Sequence, residues 1–267
     1  MHRRTRILCA FLCLVIINIY TPSFVYAIQE EEEEIVEIFD NTTIDTSRST
    51  EGCFSVYYSD QARPKMKVGI TYGGKTTYYD YTCGDRSTYT FTSGNGDYMI
   101  TLYSQVSGTK YRALVFKRVK VNMSDSLAPY LASTREVSFS KRDTVSKKAA
   151  EICKGLTDDV SKVITIHEFI HDNIEYDDDF AAKVQSGDIK TYLPKATDVL
   201  RSCKGICYDF ATLFAAMCRS QCVPCRIKKG YYRNVYHAWN EVYLDGLWYK
   251  VDSTISINKE ILKKKSN

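Results

Sequence analysis

The sequence is short of several things, and each shortage removes a class of function. It has no marked excess of one charge: 36 Lys and Arg against 32 Asp and Glu leave a formal net charge of +4 over 267 residues. A nucleic-acid binder carries a clustered basic excess, so no nucleic-acid partner is expected. Beyond residue 27 no apolar run approaches the ~20 residues of a membrane helix, and no membrane span is expected in the mature chain. The paired short cysteine spacings of a zinc ribbon are also missing. Cys203, Cys218, Cys222 and Cys225 do not make two such pairs, and they read as small residues of a core. Glutamate is absent between Glu175 and Glu241. That weakens the one zinc-protease pattern, His167-Glu168-Phe169-Ile170-His171, in which both histidines would share a helix face and Glu168 would act as base. A zinc site needs a third protein ligand, and His167 falls within an apolar stripe, so no metal and no cofactor is expected.

What is present begins with a leader. His2, Arg3, Arg4 and Arg6 precede an apolar run over 7–19, and Val25-Tyr26-Ala27 offers a cleavage site. Residues 1–27 are expected to be a signal peptide, which makes the chain secreted or cell-surface; an uncleaved anchor is the alternative. Export permits disulfides. If Cys207 is a working thiol, seven cysteines remain in the mature chain, and Cys53 with Cys83, flanking one segment, is the pair to test first. Residues 28–50 open with Glu30 to Glu34 and read as an acidic disordered spacer; a docking tail for a basic partner is the alternative.

Residues 51–122 alternate in short runs such as Phe54-Ser55-Val56-Tyr57 and Val68-Gly69-Ile70-Thr71-Tyr72, separated by Gly73-Gly74, Gly94-Asn95-Gly96 and Gly108. Short strands with glycine turns predict a small β-sandwich domain. Its tyrosines tile a half-exposed sheet or form an aromatic binding face. A connector over 123–145 leads to a domain over 146–267. There Val160, Val163, Ile164, His167, Ile170 and Ile174 make one stripe of an amphipathic helix.

The chemistry-bearing residues lie in that last domain. After Cys207, Phe210, Ala211, Phe214, Met217 and Cys218 repeat at helical spacing, so Cys207 opens a helix that buries one face. A helix N-terminus offers unpaired N–H groups and partial positive charge, which favour a thiolate. Further on, Val235 to Leu244 and Leu247 to Thr254 flank Asp245-Gly246, a two-residue hairpin signal. Pairing Leu244 with Leu247 sets Glu241 opposite Lys250 and puts His237 one diagonal step from Asp252, within side-chain reach. A thiol nucleophile needs such a base, and a carboxylate to orient it.

The segments 205–211, 236–243 and 248–254, which read GICYDFA, YHAWNEVY and WYKVDST, resemble the transglutaminase-like superfamily in order and spacing over roughly 150–256. The resemblance implies an α+β, papain-like core with Cys207, His237 and Asp252 as the catalytic triad. It extends to exported bacterial proteins that set a β domain before such a core. It also places a tyrosine-proline segment near the cleft, making Tyr192 a candidate oxyanion donor beside the Cys207 N–H, and Trp239 a wall of the cleft. Ile206, Ser253, Cys222 and Cys225 depart from residues common in relatives and bear on substrate preference more than on the triad. The implied activity is thioester formation on a carboxamide or peptide bond of a protein or peptide substrate, in contact with cell-surface components. Release is to water (hydrolysis or deamidation) or to an amine (cross-linking). A core of about 120 residues leaves little chain to exclude water from the acyl group, which favours water. The alternative is a catalytically silent surface binding protein that uses the tyrosine-rich β domain.

Overall fold

Period-two alternation shapes the first half of the chain. A computed structural model describes residues 42–59, 65–232 and 235–257; the leader, Glu30 to Glu34 and the lysine-rich tail from Lys259 lie outside them. Seven strands come first: β1 (Thr42–Asp45), β2 (Cys53–Tyr58), β3 (Met66–Tyr72), β4 (Lys75–Tyr81), β5 (Ser87–Thr90), β6 (Gly96–Ser107) and β7 (Lys110–Val121). They build two antiparallel sheets, in the orders β1-β2-β5 and β4-β3-β6-β7. Phe54 and Val56 from one sheet meet Met66, Val68, Ile100 and Leu102 from the other in a shared core, the arrangement of a sandwich. Gly73 and Gly74, with φ of +54° and +77°, supply the left-handed backbone that a two-residue hairpin turn demands.

Two expectations need correction here. Thr42–Asp45 lies within the stretch read as a disordered spacer, yet it pairs with β2, Ile44 opposite Val56. A four-residue polar edge strand with one apolar side chain has no readable alternation; its order comes from the neighbouring strand. Cys53 and Cys83 are not joined to each other. The Cys53 thiol donates to the Glu51 carbonyl at 3.6 Å, and the Cys83 thiol to the Tyr58 carbonyl at 3.4 Å.

The second half is mixed α and β. It comprises α1 (Thr144–Ile152), α2 (Asp159–Asn173), β8 (Glu175–Tyr176), α3 (Asp178–Gln185), α4 (Ala196–Ser202), β9 (Lys204–Gly205), α5 (Cys207–Ser220), β10 (Cys225–Tyr232), β11 (Val235–Leu244) and β12 (Leu247–Val251). Asp158 caps α2 by accepting the Ser161 N–H at 2.8 Å, and Val163, Ile166, His167 and Ile170 are its buried side. The α5 helix departs from the one-faced expectation, because every residue from Asp209 to Arg219 is buried. Helices α1, α2 and α4 surround it, and β10 and β11 cover the rest. Ala211, Ala215 and Ala216 are small enough to let these neighbours close on several sides, as for any helix that is apolar all round. The sheet β10-β11-β12 is antiparallel, and Leu244 faces Leu247 and Glu241 faces Lys250, the register expected from the Asp245-Gly246 turn.

The described residues form one compact unit, and Arg219 ties the connector to α5 and β10. Its guanidinium donates to the Cys225 carbonyl at 2.9 Å and to the Ala132 carbonyl of the connector at 2.7 Å. No helix among the described residues is long and apolar enough to cross a membrane.

Candidate active site

The local sequence Gly205-Ile206-Cys207-Tyr208-Asp209 fixes the thiol at the start of α5. Ile206 is the N-cap residue and has no side-chain oxygen with which to cap. Asp209 compensates: its Oδ2 accepts the Ile206 N–H at 2.9 Å, the returning half of a capping box. Its Oδ1 accepts the Tyr192 hydroxyl at 2.6 Å. Position 205 must be glycine for a steric reason, since a Cβ there would lie 2.5 Å from the Asp209 Cβ. Just before the helix, β9 runs parallel to β8 with Tyr176 opposite Gly205. The Asp177 N–H donates to the Gly205 carbonyl at 2.9 Å. These bonds hold Tyr176 beside Cys207.

Burial pushes the Cys207 thiol up. The Ala238 main chain, the Tyr176 hydroxyl and the Tyr208 main chain draw it back down, and the charge of Asp252 adds to the rise. The helix terminus was expected to favour a thiolate; burial works against it. Burial, followed by the neighbouring Cys207, pushes the Tyr176 phenol up to about 12. It stays protonated and lies close enough to Cys207 for each group to bear on the other's pKa.

His237 and Asp252 meet across the hairpin. The distance from His237 Nε2 to Asp252 Oδ2 is 2.7 Å, and the two side chains are 18% and 12% exposed. Asp252 is itself held: Oδ1 accepts the Thr254 N–H at 3.2 Å and the Thr254 hydroxyl at 2.7 Å. Because Nε2 is engaged, Nδ1 is the ring nitrogen available to a thiol, and the Cys207 sulfur lies against the main chain of Ala238, the next residue. The Trp239 ring stacks at 6.3 Å from the His237 ring, and Lys250 Nζ sits 4.6 Å over the indole.

Other expected site residues are placed differently. The Tyr192 proton is committed to Asp209, and burial with that carboxylate holds the phenol far up. Tyr192 therefore braces the start of α5, while Tyr176 is the tyrosine that lies beside Cys207. The sequence signal for Tyr176 was only an aromatic after the α2 stripe; the β8–β9 pairing brings it to the thiol. The H-E-x-x-H pattern has a structural use. His167 is 1% exposed, and its Nε2 lies 3.0 Å from the Asp252 carbonyl, which only a ring N–H can satisfy. Its ring stacks on that of His171 at 5.9 Å, and burial lowers its pKa, keeping it neutral. Among the described residues no group of three or more His, Cys, Asp and Glu side chains is arranged to hold a metal. The four clustered cysteines divide, Cys218 and Cys225 in the core, Cys203 and Cys222 at the surface.

Residues 146–253 match the sequence profile of the transglutaminase-like superfamily. Over 108 residues the chain is 38% identical to the kyphoscoliosis peptidase of Homo sapiens, a match covering 36% of this chain and 16% of that protein. Over 135 residues it is 34% identical to the kyphoscoliosis peptidase of Mus musculus, covering 46% of this chain and 19% of that protein. The chain thus spans under a fifth of the length of either curated relative. The periplasmic domain of TgpA from Pseudomonas aeruginosa superimposes at a TM-score of 0.38 with 11% identity, over 85% of this chain and 97% of that one. A likeness that loose carries no functional argument. The stretch that matches the transglutaminase-like superfamily, residues 146–253, therefore follows a β-sandwich in this chain.

Proposed function

We propose that Cys207, His237 and Asp252 act as the triad of a thiol acyltransferase or hydrolase on a protein or peptide substrate. The observation that carries this is the 2.7 Å contact of His237 Nε2 with an Asp252 carboxylate whose other oxygen is already bonded to Thr254. A carboxylate so fixed sets the imidazole's orientation and stabilises it when protonated. In the first step His237 Nδ1 takes the Cys207 proton and the sulfur attacks the carbonyl carbon. The Cys207 N–H and the Tyr176 hydroxyl face the resulting oxyanion. His237 then gives its proton to the leaving amine or ammonia, and a thioester remains. Water attacks that thioester and returns the thiol with a carboxylic acid; a primary amine is the competing acceptor. Trp239 walls the cleft beside His237 and keeps water from the imidazole.

The reading extends to the whole chain: an exported protein with a signal peptide over 1–27, a sandwich over 51–122, a connector over 123–145 and the catalytic domain after it. N-terminal sequencing of the mature product should begin at Ile28; retention of residues 1–27 on a membrane-bound product counts for an anchor. The test of the chemistry is incubation with a glutamine-containing protein, with and without a labelled primary amine, beside Cys207→Ala. Ammonia release or backbone cleavage that depends on Cys207 supports hydrolysis, and efficient Cys207-dependent amine incorporation makes transfer the main reaction. If Cys207→Ala matches the wild type in every assay, the triad reading fails and a silent binding protein is the better account.

A further inference from the structure

A cavity of about 1460 Å³ lies between the sandwich and the catalytic domain. It exceeds the ~300–1,000 Å³ of a small-molecule pocket, room enough for an extended chain. Its wall reaches Tyr208, the residue after Cys207, and Tyr192, whose hydroxyl braces the start of the same helix. The triad does not line it, so it flanks the reacting centre and cannot be that centre.

Its charge is one-sided. Eight basic side chains line it against two acidic ones, Asp80 and Glu136. Both acids are spent within it: Asp80 pairs with Lys67 at 3.0 Å and Glu136 with Lys229 at 2.6 Å. Lys65, Lys190 and Lys228 are exposed and have no ion-pair partner among the described residues. A cleft lined by one sign of charge concentrates ligands of the other sign. Its backbone is equally one-sided. Strand β4, through Tyr78 to Tyr81, and strand β10, through Arg226 to Lys229, both line it. Each is the edge of its sheet. An edge strand presents a row of N–H and C=O groups that an extended polypeptide can join.

We propose that this cleft is an exosite for an extended, acidic polypeptide segment of the substrate, next to the acyl group that Cys207 attacks. This rests on the acyl-transfer reading for its orientation, and it names the substrate class that reading leaves open. Main-chain pairing along β4 or β10 aligns the segment, and Lys65, Lys190 and Lys228 select its charge. The lining tyrosines also suit stacked bases, but single-stranded nucleic acid has no use for a strand edge, and a polypeptide fits both features.

The experiment measures binding with Cys207→Ala, so that turnover plays no part. The probe is a fluorescein-labelled dodecapeptide alternating glutamate and threonine, set against its glutamine-threonine counterpart. The acidic peptide should bind about tenfold tighter at low salt, and the difference should shrink as ionic strength rises. The triple variant Lys65→Glu, Lys190→Glu, Lys228→Glu should abolish that preference while its thermal midpoint holds. If the triple variant misfolds, Lys190→Gln alone should lower the preference measurably. Equal binding of the two peptides, an unaltered preference in a folded variant, or displacement by single-stranded DNA at lower concentration than by unlabelled peptide would each overturn the proposal. Acidic-peptide binding without Cys207-dependent turnover in the parent chain separates a correct exosite from a failed acyl-transfer reading.

Discussion

At the scale of single residues, two tyrosines divide a task that the sequence seemed to give to one. Tyr176 and Tyr192 are both near the nucleophile, but their hydroxyls are committed differently. The Tyr192 O–H faces a carboxylate, Asp209 Oδ1, at 2.6 Å. The Tyr176 hydroxyl lies beside Cys207 and has no carboxylate partner of this kind among the described residues. A donor contributes to catalysis only if it points where negative charge develops. Tyr176→Phe should therefore lower kcat about 10²–10³-fold with little change in KM. Tyr192→Phe should leave kcat near wild type and lower stability by about 1 kcal/mol, the worth of one hydrogen bond. Steady-state kinetics with urea unfolding of both variants checks the pair, and a kcat loss confined to Tyr192→Phe would exchange the assignments. The sequence shows both tyrosines equally well. What it hides is the β8–β9 pairing, two residues on each strand, which is too short to carry a periodic signal.

At the scale of elements, legibility follows how locally each element is determined. The β11–β12 hairpin was legible because the Asp245-Gly246 turn, with φ of +48° and +86°, fixes the register, and the register decides which side chains share a face. His237 and Asp252 follow from it. The α5 start is legible only in part: the helix period shows, whereas the contact of Asp209 with Gly205 does not. That contact makes Gly205→Ala a sharp test. The added methyl would enter the 2.5 Å gap to the Asp209 Cβ, and overpacking of this kind costs about 1–3 kcal/mol. Both chemical unfolding and Cys207 labelling rate should report it. The α2 helix contributes through His167, which donates to the Asp252 carbonyl. Burial lowers the His167 pKa, so below the unfolded value of about 6.5 the unfolded chain takes up a proton that the native one refuses. Stability is then lost as pH falls through that value. His167→Gln keeps an N–H for the carbonyl and removes the titration, so its urea midpoint should fall less than that of the wild type on acidification. Parallel curves for the two proteins would show that His167 does not govern the acid limb.

At the scale of the whole molecule, the two hydrophobic cores are separate, one within the sandwich and one around α5. Between them lie polar contacts, the connector and the lining of the cleft. The sandwich core could be read from alternation and the helical core from the α2 and α5 periods. The junction could not, because it depends on long-range bonds between scattered residues, such as Arg135 to the Ser87 and Thr82 hydroxyls and Arg219 to the Ala132 carbonyl. Arg219 is 8% exposed, and its charge faces the carbonyls of Cys225 and Ala132. Burial lowers its pKa, a sign that desolvating the guanidinium is costly. Replacement by an apolar side chain would relieve that cost but leave both carbonyls without their donor. An orphaned buried acceptor costs about 1–3 kcal/mol. Two of them outweigh the relief unless water enters, so Arg219→Met should destabilise by about 2–5 kcal/mol. The loss should fall on the α5 core and the connector, because the sandwich keeps its own apolar core. Scanning calorimetry of the variant should then show the α5 core melting first and the sandwich later, as two transitions. A single transition at the wild-type temperature would mean that the guanidinium's desolvation cancels its hydrogen bonds. The cleft between the domains would then owe its shape to the packing of Tyr130 against Trp248, whose rings meet edge to face at 4.8 Å.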